Sequence, residues 1–313
     1  MSSKKVLAVF GATGQQGGGL ASHVLSDPEL SSLFSVRALV RDVNSDKAKA
    51  LTAKGATLAY ADTAVPSSLV PALTGADFVF VITAPGYGPT AFEIELEMAK
   101  AMADAAVAAG VGYILFSTLP SVRTISKGKY TRVAAFDAKA AAEEYIRSLP
   151  VKAAFFCLGS FMENYATPVA FLKKVRPDGT VVLSRNESPE TRFPLIAAVE
   201  DTGKFVAPVL LDPRKYEGKR FYLANEFMTW EEKVAVMSKV MGKKIVYEQV
   251  PEEEYRAILP PSMADIFIEA FWWFQDFGYF GPDTDGLVQW SKENARGELT
   301  TFEGYLRKNP LSW

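Results

Sequence analysis

The chain has 313 residues, 49% hydrophobic and 22% charged, the balance of a globular protein with a substantial core, built as one large α/β unit or two joined domains. A formal net charge of -2 without a long basic block gives no electrostatic reason for direct nucleic-acid binding. A single cysteine, Cys157, and a single histidine, His23, exclude an internal disulfide and leave too few ligands for a zinc or haem site, so no metal and a reducing compartment are expected.

The opening Met1-Ser2-Ser3-Lys4-Lys5 runs into an apolar stretch too short for a signal-peptide core or a membrane span. A cytoplasmic protein is expected, with the nucleus as a second compartment and no membrane partner. Strands are predicted at Lys5–Phe10, Val36–Val40, Thr57–Tyr60, Phe78–Thr83, Tyr113–Ser117 and Ala153–Cys157. Between them, helices rich in Ala, Leu, Glu and Lys are predicted at Gly18–Leu25, Ser45–Lys54, Ser67–Leu73, Ala91–Ala109 and Ala134–Ser148. Gly110 supplies a C-terminal stop and Pro66 a helix start. This alternation predicts an α/β fold, a Rossmann doubly wound parallel sheet. Beyond residue 156 it breaks into scattered strands, Val181–Leu183, Arg220–Leu223 and Lys244–Val250, among helices and aromatic clusters. The expectation is a nucleotide-binding domain over 1–156 and a smaller α+β substrate or partner domain over 157–313, which could return strands to the main sheet.

The first strand leads directly into Gly11-Ala12-Thr13-Gly14-Gln15-Gln16-Gly17, with a helix following. In that context glycines let backbone N–H groups at a helix N-terminus approach a pyrophosphate. Gly11 suits the tight turn, Gly14 the approach of the cofactor, and Gly17 the packing of helix on strand. A glycine-rich turn without a ligand is the competing reading. The second strand ends in Arg41, whose planar fork of donors suits the 2′-phosphate of NADP, with Lys47 nearby as a second cation. Asp42 either faces a ribose hydroxyl, as in NAD enzymes, or caps the following turn. Asp62 and the segment from Thr83 and Ala84 through Pro85 to Gly86 lie at strand ends, where the dinucleotide crevice is expected; ordinary turn chemistry is the alternative for each.

These residues together resemble the NmrA-like family, atypical short-chain dehydrogenase/reductases with isoflavone-reductase-like relatives. The resemblance spans nearly the whole chain. Besides Val9 to Gly17, it is carried by Ala38-Leu39-Val40-Arg41-Asp42, Phe136-Asp137-Ala138-Lys139 with the run to Tyr145, Gly159-Ser160-Phe161-Met162-Glu163-Asn164, and Glu200-Asp201-Thr202-Gly203-Lys204-Phe205. It implies NADP(H) as cofactor, contacting Gly11, Thr13, Gly14, Gln15, Gln16, Gly17, Arg41, Lys47, Asp62, Thr83, Ala84, Ser117 and Lys139.

Ordinary members of the wider superfamily carry a catalytic tyrosine four residues before a lysine. Here Lys139 fills the lysine position, but Ala135 stands where the phenol is expected. The resemblance implies ribose contact by Lys139, and proton transfer by Lys139 or Tyr130 as the remaining catalytic options; a solvated cation is the plain alternative for Lys139. Ser117 and Thr118 either face the nicotinamide or cap a strand end. Phe161, Met162, Asn164 and Tyr165 match the segment lining the family's substrate crevice, although Phe and Met are commonly core residues. Cys157 reads as a buried small hydrophobe and His23 as helix surface or packing. The cluster from Phe271 to Phe274 with Phe277, Tyr279 and Phe280 suits a substrate pocket, a partner surface or core.

Two functions follow from the resemblance. The first is an oxidoreductase transferring hydride between NADPH and a small aromatic or conjugated substrate. The alternative is a non-catalytic NADPH/NADP redox sensor that regulates a protein partner.

Overall fold

The computed structural model describes residues 3–166 and 172–311. Its first half contains β1 (Lys5–Val9), α1 (Gln15–Ser26), α2 (Pro28–Leu33), β2 (Phe34–Val40), α3 (Asp46–Ala53), β3 (Thr57–Tyr60), α4 (Leu69–Leu73), β4 (Phe78–Val81), α5 (Ala91–Ala108), β5 (Tyr113–Thr118), α6 (Val122–Ile125), α7 (Ala134–Ser148) and β6 (Lys152–Leu158). The second half adds β7 (Ser160–Phe161), β8 (Leu172–Val175), β9 (Val181–Arg185), β10 (Phe193–Ile196), α8 (Ala198–Leu211), β11 (Arg220–Leu223), β12 (Glu226–Met228), α9 (Trp230–Met241), β13 (Ile245–Gln249), α10 (Glu252–Arg256), α11 (Pro261–Phe277), α12 (Thr284–Glu293) and α13 (Phe302–Lys308).

Seven strands form one sheet in the order β11-β6-β5-β4-β1-β2-β3, every pairing parallel. Both faces are covered, and the alternation of side chains along β1 sorts them. Leu7 and Val9 join the core shared with α1 and α8, whereas Ala8 and Phe10 join the core shared with α5 and α7. Strand order reverses beside β1, between β2 and β4, which opens the crevice for a ligand at the carboxyl ends of these strands.

The first helix starts at Gln15, three residues before the expected Gly18, and continues through Gly17, Gly18 and Gly19. Glycine is a poor helix former, so this turn depends on packing. A Cβ on Gly19 would lie 2.3 Å from the Val199 carbonyl oxygen of α8. Strand β4 stops at Val81, short of the predicted Thr83, whose side chain bonds to α5 instead. Gly110 takes φ +74° just past α5, the left-handed stop that its position suggests.

The second half contributes β11 to the edge of the main sheet beside β6, and α8 to its α1 face. The rest of it carries two three-stranded sheets, β12-β10-β7 and β13-β9-β8. Around them lies an aromatic core that includes Trp230, Tyr255, Phe271, Trp273 and Phe274, so most of the aromatic run serves packing. Cys157 is fully buried in β6, and His23 lies between α1 and α8.

Candidate functional site

The loop after β1 has the geometry its glycines allow. Gly11 sits at φ +63°, and the Gly14 amide donates to the Gly11 carbonyl oxygen at 2.9 Å, closing the turn. A Cβ on Gly17 would fall 2.5 Å from that oxygen and 2.6 Å from the Phe10 carbonyl oxygen, so helix and strand approach too closely for a side chain. Gly14 is the N-cap of α1 and supplies no side-chain cap, and no acidic residue occupies the first turn. The unsatisfied amides and the positive end of a twelve-residue helix therefore face the crevice without a competing carboxylate. These features fit a dinucleotide pyrophosphate. Gln15 is exposed and Thr13 half-buried beside it. Gln16 turns inward, its Oε1 accepting a hydrogen bond from Ser117 Oγ at 2.7 Å, which ties the loop to the end of β5.

At the end of β2, Arg41 and Lys47 are both exposed. Asp42 Oδ1 accepts the Asn44 amide at 2.8 Å, which is the turn-capping arrangement. Asp62 does likewise, Oδ1 accepting the Ala64 amide at 2.9 Å.

Lys139 is held by Glu95, a residue not singled out from the sequence. Glu95 of α5, 2% exposed, forms an ion pair with Lys139 of α7, itself 7% exposed, and its same Oε1 accepts the Thr83 hydroxyl at 2.6 Å. Thr118 Oγ1 donates to the Lys139 carbonyl oxygen at 3.3 Å. Lys139 is thus no solvated cation. Thr83 spends its hydroxyl inside the protein, while Ala84 is exposed. A signal for Glu95 did exist: Ala91, Glu95, Ala99 and Ala103 recur every four residues and define the face of α5 that is buried.

Ala135 is half-buried in the first turn of α7. Tyr130 points elsewhere, its hydroxyl donating to Asp276 of α11 at 2.6 Å, and among the described residues no hydrogen bond joins it to Lys139. Burial, and then the Asp276 carboxylate, push its pKa up to about 12. Of the four expected crevice residues, Met162 and Tyr165 are buried in the aromatic core, Tyr165 with its ring 5.0 Å from that of Phe302. Phe161 is half-buried and Asn164 exposed. The side chains at the carboxyl end of β5 are turned inward: Ser117 and Thr118 are 2% and 1% exposed, and Leu119 packs against the aromatic core. A cleft of about 560 Å³ near Thr191 and Phe227 is lined by Phe274, Phe277 and Tyr279 of the aromatic cluster, and by none of the residues expected to hold the cofactor.

The remaining shared segments have structural jobs. The Glu163 carboxylate accepts the Val199 and Ala198 amides at 2.8 and 3.1 Å, capping α8, while burial raises its pKa. Asp201 accepts the Thr300 amide and hydroxyl and pairs with Lys204.

A strand, glycine turn and uncapped helix at the switch point of a doubly wound sheet define a Rossmann-type dinucleotide-binding protein. The chain belongs to the NmrA-like family, whose pattern matches residues 3–306. It is 30% identical over 264 residues to an NmrA-like family domain-containing oxidoreductase, lnaB of Aspergillus flavus, covering 79% of this chain and 76% of that one. Its fold matches NmrA, a negative transcriptional regulator solved in complex with NADP, with a TM-score of 0.83, 23% identity and coverage of 100% and 99%. It also matches the triphenylmethane reductase of a Citrobacter species complexed with NADP(H), with a TM-score of 0.73, 23% identity and coverage of 98% and 100%. No helix among the described residues is long and apolar enough to cross a membrane.

Proposed function

We propose that this chain holds NADP(H) as a regulatory ligand, reporting its redox state to a protein partner. The first half of the reading rests on the glycine cradle and on Arg41 and Lys47, two exposed cations where a 2′-phosphate would stand, with Asp42 committed to its turn. The observation that carries the second half is the missing acid: Ala135 stands where the superfamily's phenol is expected, and the Tyr130 hydroxyl is turned to Asp276. When bound, the dinucleotide supplies hydride chemistry; the chain's own residues supply binding and orientation. Lys139 keeps two ammonium donors beyond the one given to Glu95, enough to hold ribose hydroxyls.

Transmission to a partner has a physical route. Helix α1, which begins at the phosphate loop, is keyed backbone to backbone onto α8 of the second half, and α8 is in turn capped there by Glu163. The sensor reading requires that one redox form bind more tightly to one arrangement of these elements.

The test combines binding with turnover. Purified protein is expected to bind NADP(H) stoichiometrically, to leave NADPH unoxidised against a panel of quinones, enones and aldehydes, and to capture a partner differently in the two redox forms. Steady-state oxidation, or capture indifferent to the nucleotide, would count against it. A hydride-transfer reading has its own support in the oxidoreductase name of the Aspergillus relative and in the fold match to a triphenylmethane reductase complexed with NADP(H). It would require an acceptor such as a quinone or conjugated cation, whose reduction needs no protein acid in place of Ala135.

A further inference from the structure

We propose that Glu95 sets which redox form of the dinucleotide this chain prefers, by offsetting the charge of Lys139 beside the nicotinamide ribose. This rests on the NADP(H) reading above. NADP and NADPH share their phosphates, adenine and riboses; the oxidised nicotinamide ring carries a positive charge that the reduced ring lacks. Discrimination between them must therefore come from charge or shape near that ring.

An ammonium removed from water acts on such a ring at low effective dielectric. Lys139 alone would disfavour the oxidised form. Glu95 opposes it from the same buried place, fixed by the Thr83 hydroxyl and by the packing of α5 on α7. Its second oxygen, Oε2, is buried and accepts no hydrogen bond among the described residues, so no further donor disperses the carboxylate's charge. A merely structural ion pair between two helices would affect both forms of the cofactor alike. A charge balance would move their ratio.

The experiment measures dissociation constants for NADP and NADPH with the full chain and with Glu95→Gln, Lys139→Met and the double variant. Glu95→Gln is expected to raise the ratio of the NADP to the NADPH dissociation constant by about tenfold, Lys139→Met to lower it comparably, and the double variant to return it close to the starting value. Glu95→Asp keeps the pair charged and withdraws the carboxylate by one methylene, so it guards against misfolding of the neutral variant; it should shift the ratio in the direction of Glu95→Gln by less. An unchanged ratio in the single variants, or shifts of the same sign from both, overturns the proposal. If the unaltered chain binds neither form, the cofactor reading falls and this role of Glu95 falls with it.

Discussion

His23 occupies the space that a side chain on Gly203 would need: a Cβ built at Gly203 falls 2.3 Å from the His23 Cβ. One turn earlier on α1, Gly19 meets the Val199 backbone equally closely. Gly203→Ala is therefore expected to cost about 2 kcal/mol of stability by overpacking, read as a lower denaturant midpoint. Truncating His23 to alanine should not rescue it, because the nearest contact is with the Cβ that alanine keeps. Full rescue would contradict this packing.

Lys233 of α9 presents a different strain. It is fully buried, its Nζ lies 3.5 Å from the centre of the Trp230 ring and 3.7 Å from that of Phe193, and it has no hydrogen-bond partner among the described residues. Burial, with Arg185 adding repulsion and Glu187 opposing it, pulls its pKa well below the ordinary 10.5. Two aromatic faces return about 2 kcal/mol to a cation, less than the several kcal/mol that burial of an ammonium costs, so burial disfavours the charged form. Between the lowered folded value and 10.5 the unfolded chain holds a proton that the native chain does not, so this residue makes stability rise with pH. Lys233→Met should stabilise the protein by about 2 kcal/mol near neutral pH, with the advantage shrinking toward pH 10.5. Unfolding curves at several pH values check both the sign and the slope.

Arg41→Ala should weaken NADP binding about tenfold or more while affecting NAD far less, since a charge-assisted hydrogen bond to the 2′-phosphate is lost. Equal losses for both cofactors would place the 2′-phosphate elsewhere.

Cys157 should resist thiol reagents in the native state. It is fully buried in β6, and burial raises its thiol pKa well above the usual range. Reaction with a disulfide reagent should become rapid only upon unfolding; prompt labelling of the folded chain would mean that β6 opens.

The parallel sheet was legible because its strands are dense, doubly buried runs such as Phe78–Val81 and Tyr113–Thr118, separated by strong helix formers. The shorter pieces were not. Strands of two to four residues, such as Ser160–Phe161 and Glu226–Met228, show no usable period, and α2 is six residues long and carries two adjacent serines, Ser31 and Ser32. In the site, the glycine loop could be read from sequence because its spacing is local, whereas Lys139 was legible only through the resemblance of the segment from Phe136 to Tyr145 to the family. Glu95 lies 44 positions from Lys139, and only the packing of α5 on α7 brings them together. Met162 and Tyr165, expected beside a substrate, lie in the core of the second half, where the Tyr165 ring packs on Trp230 and Phe302.

Whether NADP(H) is held in the cradle from Gly11 to Gly17 without being consumed can be measured by titrating the purified chain into NADPH with a quinone present, following fluorescence and absorbance together. A saturable change in nicotinamide fluorescence is expected at one equivalent, with NADPH absorbance preserved. Absence of binding, or continuous loss of that absorbance dependent on the protein, would contradict it.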